Sequence, residues 1–113
     1  MNPDCLFCRI VAGELPADEV HREDGILAFK DIHPVADTHV LVIPERHIED
    51  LRHLRLEDAG LWLRLTQVAN EVAADLGHED GYRFYVSVGS AGGQTVPHLH
   101  IHVMAGSMRR LPA

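Results

Sequence analysis

His98-Leu99-His100-Ile101-His102-Val103 decides how this chain is read. Three histidines alternate with three aliphatic residues. Along a β-strand, successive side chains point to opposite faces of the sheet. The alternation predicts a strand with three imidazoles on one face and Leu99, Ile101 and Val103 anchored on the other. One rigid element then carries a row of titratable, nucleophilic, metal-capable groups. A single metal ion held by all three rings is geometrically poor, because the row spans about 13 Å on an extended strand. His39 would have to replace one of the outer two.

Working upstream, residues 89–97 form a glycine-rich loop that runs directly into the histidine row. Gly92 and Gly93 permit backbone conformations that turn N–H groups toward an anion. Gln94 and Thr95 add side-chain donors. A phosphate held there would sit at the start of the row. Imidazole is a good nucleophile toward phosphorus near neutral pH, and a covalent phospho-imidazole divides one hard displacement into two easier ones. The attacking nitrogen must be unprotonated, so the other ring nitrogen needs a fixed acceptor. A neighbouring histidine could protonate the leaving group, and backbone donors could stabilise the equatorial oxygens.

The remaining pattern predicts an α+β fold. Residues 5–12 suit a short helix stopped by Gly13. Residues 19–22 and 26–31 flank Glu23-Asp24-Gly25 as a hairpin. Residues 38–43 read as a β-branched strand ended by Pro44, and residues 82–88 as another strand. The histidine strand is expected to end at Ala105-Gly106. Residues 56–76 form the main helix, with Leu61, Leu65, Val68, Val72 and Leu76 at helical spacing and Gly77 just past its end. The sum is one domain over residues 1–113: an antiparallel sheet of about five strands, one long helix on one face, and one or two short helices. Trp62 and Leu63 widen the apolar surface of the long helix, which suits either a dimer interface or packing on a loop.

The acidic balance, 17 Asp and Glu against 10 Lys and Arg, argues against nucleic-acid polymers and anionic membranes as partners. It leaves room for a small phosphate ligand in a local nest of donors. No apolar run approaches the roughly 18 residues of a membrane span. The first residues lack the basic and apolar regions of a signal peptide, so a cytoplasmic location is expected. Cys5 and Cys8, the only cysteines, are spaced C-x-x-C, which in a reducing compartment suggests metal or redox work. His21, His53 and His78 have no motif context and read as solvated surface. His33 suits either a pocket wall or the surface.

Together these residues resemble the histidine triad (HIT) nucleotide-binding proteins, whose signature is His-x-His-x-His followed by apolar residues. The resemblance extends over nearly the whole chain. It takes in the early Cys-x-x-Cys-x-Ile segment, Gly13-Glu14-Leu15-Pro16-Ala17, and Leu27-Ala28-Phe29-Lys30-Asp31-Ile32. It continues through Thr38-His39-Val40-Leu41-Val42-Ile43-Pro44, His47-Ile48, Ala74-Asp75-Leu76-Gly77 and Gly92-Gly93-Gln94-Thr95-Val96. The chain looks most similar to the Hint branch, the nucleoside phosphoramidate hydrolases. A HIT-like fold and a homodimer are implied.

The resemblance also implies roles. His100 would be the nucleophile, His102 would contact the phosphate and help in proton transfer, and His39 would orient the site from the neighbouring strand. Gln94 and Thr95 would bind phosphate or leaving group, with Gly93 giving backbone approach. Asp31 would hold the ribose hydroxyls. Leu6, Phe7, Ile10, Phe29, Ile32 and Leu41 would form the purine slot. Ser87 stands where such proteins usually carry an Asn that contacts the nucleotide. Their C-terminal Trp-Pro segment is here Met108-Arg109-Arg110-Leu111-Pro112-Ala113. His47 and His98 would complete a structural Zn2+ site with Cys5 and Cys8.

The expected activity is hydrolysis of purine nucleoside 5′-phosphoramidates, or related nucleotidyl conjugates, to a nucleoside monophosphate such as AMP through a His100-nucleotidyl intermediate. Two alternatives stand beside it. One is a dinucleoside polyphosphate hydrolase of the other HIT branch, and the other is a nucleotide-binding scaffold or sensor with little turnover.

Overall fold

Period-two hydrophobicity builds the sheet, and the computed structural model, which describes residues 3–112, shows where each face goes. The elements are α1 (Leu6–Val11), β1 (Glu19–Glu23), β2 (Ile26–Lys30), β3 (Ala36–Pro44), α2 (Ala59–Asp75), β4 (Arg83–Tyr85) and β5 (Ile101–Met108). Short 3-10 turns lie at Leu51–His53, Leu56–Asp58 and Ser90–Gly92. The five strands run in the order β1-β2-β3-β5-β4, and every neighbouring pair is antiparallel.

One sheet face meets α2. Ile26 and Ala28 of β2, Val40 and Val42 of β3, and Leu99, Ile101 and Val103 pack against Leu65, Val68, Ala69 and Val72. The intervening residues Leu27, Phe29, Leu41 and Ile43 face the other way, onto Phe7, Cys8 and Ile10. Burial of one such side chain is worth about 1.5–3 kcal/mol, so shifting any of these strands by one residue would exchange two apolar faces. The face away from α2 is therefore free to carry α1 and the histidines.

The long helix departs from expectation at both ends. Residues Leu56–Asp58 form a 3-10 turn rather than α-helix. There the Asp58 carboxylate accepts the Arg55 N–H and the Arg46 guanidinium. At the far end Gly77 takes a left-handed φ of 89°. Its N–H donates to the Ala74 carbonyl, and the His78 N–H reaches back to Ala73. This Schellman closure satisfies the last carbonyls. Leu76, expected on the buried stripe, is 37% exposed because it is the cap residue beyond the last packed turn. Trp62 packs on the α2 core, whereas Leu63 is exposed.

The histidine segment also differs from a simple strand. Ladder pairing begins at Ile101, because the Leu99 N–H donates instead to the Ile48 carbonyl at 2.6 Å. Side-chain alternation nevertheless continues back through His98. Downstream the strand outlasts its expected end and runs to Met108. A bulge carries it on: Thr38 pairs with Ala105, but Ala36 pairs with Met108. Gly106 sits at φ 79° inside the bulge, and a Cβ there would lie 2.5 Å from Asp37 Oδ2. That carboxylate accepts the Ser107 N–H at 2.9 Å. β4 is shorter than the expected 82–88, since its pairing with β5 stops at Tyr85 and His102. No helix among the described residues is long and apolar enough to cross a membrane.

Candidate active site

Two backbone groups and one ring-to-ring contact fix the hydrogens of these histidines. The Nδ1–H of His100 donates to the His98 carbonyl at 2.7 Å. A carbonyl can only accept, so the neutral ring keeps its lone pair on Nε2. At His39 the direction is reversed. The Val35 N–H donates to His39 Nδ1 at 3.2 Å, which places the proton of the neutral ring on Nε2. His39 Nε2 lies 2.8 Å from His102 Nδ1, so His39 donates and His102 accepts. The proton of His102 is thereby assigned to Nε2. That atom is buried and has no hydrogen-bond partner among the described residues. An unpaired buried donor is costly and marks a place where a ligand acceptor fits.

The two rings that follow one another along this face thus present opposite functions. His100 offers an unprotonated Nε2, and His102 offers an Nε2–H, with ring centroids 4.8 Å apart. Burial keeps the set neutral. It pushes the His102 ring down to about 3, with His100 and His39 nearby adding to the effect. Burial likewise lowers His39 and His100 below the ordinary imidazole value. Asp31 opposes this at all three rings, and its Oδ2 lies 3.4 Å from His39 Nε2.

A cavity of about 440 Å³ opens beside this pair. Phe7 and Ile10 of α1, with Leu6 at the rim, form one wall. Phe29 and Leu41 supply the sheet floor, and Asp31 and Ile32 come from the turn between β2 and β3. Thr95, Val96, His100 and His102 close the reactive end. Ile32 is 81% exposed and stands at the mouth. The Phe7 ring meets His100 edge-on at 5.2 Å. Volume and lining suit a drug-sized or nucleotide-sized apolar moiety with a few convergent polar groups.

Several other residues singled out in the sequence lie off this wall. His39 stands behind His102. Gln94 is buried, and its side-chain amide is fully engaged: Oε1 accepts the Gly89 N–H, and Nε2 donates to the Glu49 and Val96 carbonyls. The N–H groups of Gly92 and Gly93 close turns inside the loop onto Gly89 and Ser90, rather than facing outward. Ser87 packs beside Gly93, its Oγ 3.9 Å from where a Cβ would be. His21, His53 and His78 are not simply solvated: they meet Glu23, Asp50 and Thr38 respectively. His33 lines the cavity, as do Leu15, Pro16, Ala17 and Arg110, which sequence reasoning left without a role.

A second constellation lies on the far side of His98. Cys5 caps the N-terminus of α1, and its Sγ accepts the Cys8 N–H, so the C-x-x-C spacing brings both sulfurs to one side of the first turn. His98 Nδ1 is 3.3 Å from Cys5 Sγ and 3.6 Å from Cys8 Sγ, and His47 Nδ1 is 3.4 Å from Cys8 Sγ. A tetrahedral zinc ion places sulfur and nitrogen ligand atoms about 3.5 Å apart. The Nε2–H of His98 donates to the Pro44 carbonyl at 2.8 Å, which turns the lone pair of Nδ1 toward the sulfurs. A fixed outer hydrogen bond of this kind is what metal-bound imidazoles carry. Burial lowers the His98 ring to about 4 and raises the Cys5 thiol. Cys5, Cys8, His47 and His98 therefore form a cluster that could hold a metal ion.

Comparison with known proteins agrees with this architecture. A HIT-like protein of Synechococcus elongatus is 42% identical over 106 residues, covering 94% of this chain and 93% of its own length. Protein HitA of Neisseria gonorrhoeae is 40% identical, with 89% of this chain and 94% of that protein covered. Among solved structures, a HIT family hydrolase from Legionella pneumophila superposes with a TM-score of 0.90 at 40% identity, covering 96% of this chain and 98% of its own. A HIT family hydrolase from Clostridium thermocellum gives 0.91 at 38%, with 100% and 98% covered. A family model for the HIT domain matches residues 12–108. The chain belongs to the HIT domain family.

Proposed function

We propose that the protein hydrolyses purine nucleoside 5′-phosphoramidates or related nucleotidyl conjugates, with His100 as nucleophile. The observation that carries this reading is the paired polarity of His100 and His102: a lone pair on one Nε2 and an unpartnered N–H on the other, at the end of an apolar cavity. Two structural neighbours are named HIT family hydrolases, which supports hydrolytic chemistry of this kind. Attack by His100 Nε2 on the α-phosphorus forms a phospho-imidazole and breaks the bond to the leaving amine, whose nitrogen takes a proton from His102 Nε2–H that the hydrolytic water later returns. His102 Nε2–H holds a phosphoryl oxygen or the departing group. Water then cleaves the phospho-imidazole, releases the nucleoside monophosphate and restores the ring. Phe7, Ile10, Phe29 and Leu41 take the purine, and Asp31 takes the ribose hydroxyls.

The same reading gives Zn2+ to Cys5, Cys8, His47 and His98. There the ion supplies no step. It would tie α1 to the segments that follow β3 and precede β5. Retention of both thiols suits a reducing, cytoplasmic setting. A homodimer completes the reading, with exposed Leu63 at the widened face of α2 as the surface that supports it.

The test is AMP release from adenosine 5′-phosphoramidate at pH 7 by the wild type and by His100→Asn, with and without chelator. Turnover lost in the variant and indifferent to chelator is expected. Faster cleavage of a diadenosine polyphosphate would move the protein to the other HIT branch. AMP bound without turnover would make it a nucleotide-binding module.

A further inference from the structure

Arg109 has no part in the chemistry above, yet it is bound to a single turn. Its backbone N–H donates to the Val35 carbonyl at 2.6 Å. Its Nη2 donates to the Ala36 carbonyl at 3.0 Å and reaches the Pro34 carbonyl at 3.4 Å. Its Nη1 stands 3.6 Å from Asp37 Oδ1. The bulge at Gly106 lets β5 reach this turn, since it brings Met108 opposite Ala36.

The Pro34 carbonyl and the Val35 N–H belong to one planar peptide unit. In a trans peptide the two groups point in opposite directions, so holding one end aims the other. The guanidinium sits at the oxygen end, and the hydrogen end donates to His39 Nδ1. A charged donor on the oxygen also polarises the unit and strengthens its N–H as a donor. If this peptide turned over, a carbonyl would face His39. Nδ1 would then carry the proton, Nε2 would become an acceptor, and His102 would have to protonate Nδ1. The Nε2 of His102 would change from donor to acceptor.

We infer that Arg109 is a positioning residue: by clamping the Pro34–Val35 peptide it sets the tautomer of His39, and through it the Nε2–H of His102. This rests on the reading of His102 Nε2–H as the donor in the proposed hydrolysis. Arg109 does not touch the reacting atoms. Its side chain is 52% exposed, so its removal leaves the buried core intact.

The experiment compares wild type with Arg109→Gln and Arg109→Lys. Long-range 1H–15N correlation on the ligand-free protein reads which nitrogen of each ring carries hydrogen. The wild type is expected to show Nε2–H at both His39 and His102. Arg109→Gln is expected to show mixed or inverted tautomers at both rings. Its kcat on adenosine 5′-phosphoramidate should fall about tenfold to a hundredfold, the scale of a misplaced catalytic group, with KM little changed. Arg109→Lys keeps the charge but not the fork, and should recover part of both signals. Wild-type tautomers in Arg109→Gln would overturn the inference, whether turnover falls or not. A fall in stability with unchanged tautomers would make Arg109 merely structural. Absence of wild-type turnover would sink the proposed hydrolysis, while the ring signals would still decide the clamp.

Discussion

His39 Nε2 sits 2.8 Å from His102 Nδ1, and the direction of that hydrogen bond decides what His102 can do for a ligand. Replacing His39 by Ala removes the donor and frees the tautomer of His102. The expected result is a kcat about a hundredfold lower on adenosine 5′-phosphoramidate with KM nearly unchanged, the usual scale for a lost acid–base partner. Steady-state kinetics on variant protein shown by circular dichroism to be folded checks this. A rise confined to KM would mean that the pair only binds.

Acid should weaken the fold before carboxylates begin to titrate. Burial holds His39 and His100 below the ordinary value near 6.5, and takes His102 to about 3. Between those limits the unfolded chain binds protons that the folded chain refuses, so stability falls as pH drops below about 6.5. The slope is up to about 1.4 kcal/mol per pH unit for each such ring. Urea unfolding at pH 7.5 and pH 5.5 measures it. His102→Gln should fall less steeply than wild type, and a flat wild-type profile would contradict the assignment of neutral rings.

Metal removal should appear in stability. With zinc bound only by the folded chain, a thousandfold excess of free ion over Kd adds about 4 kcal/mol. Dialysis against a strong chelator is therefore expected to lower metal content and Tm together. Cys5→Ser should carry less zinc and show a smaller response. An unchanged Tm after complete chelation would remove the ion from the fold.

Gln94 should behave as a strut. Its amide satisfies the Gly89 N–H and the carbonyls of Glu49 and Val96. Truncation to Ala leaves these groups unpaired, at a cost of about 2–3 kcal/mol after partial rehydration. Gln94→Glu should be at least as damaging, because a carboxylate cannot donate to two carbonyls. Chemical denaturation gives the number. If Gln94 contacted ligand alone, KM would rise and stability would stay.

What could be read from sequence was whatever side-chain periodicity encodes. Leu99, Ile101 and Val103 alternate with the histidines, and they do pack under α2 while the rings face the other side. Gly77 announced the end of the long helix, and the Cys5–Cys8 spacing pointed to a metal-capable or redox pair, which the structure gathers with His47 and His98. The rest depends on backbone groups, which every residue shares and no residue type advertises. The Val35 N–H, the His98 carbonyl and the Pro44 carbonyl fix three rings, yet none has a signature in sequence. Strand limits were hidden for a related reason. They follow from the Leu99–Ile48 hydrogen bond and from the bulge at Gly106, and both are long-range pairings. The internal bonds of Gln94 were hidden because a donor beside a glycine loop looks the same whether it faces ligand or its own chain.

His98 belongs to two neighbourhoods at once, its ring to the sulfur cluster and its carbonyl to His100. Side-chain replacement can reach only the first. A library of variants at position 98 would score the cluster and remain blind to the carbonyl, which survives every such exchange. An amide-to-ester link at that carbonyl, made by chemical synthesis, would weaken the acceptor and leave the ring in place, while also removing the Leu99 N–H that donates to Ile48. Tolerance at position 98 in a mutational screen therefore reports on the buried ring and its cysteine cluster, whereas the tautomer of His100 is secured by a part of the chain that side-chain replacement does not alter.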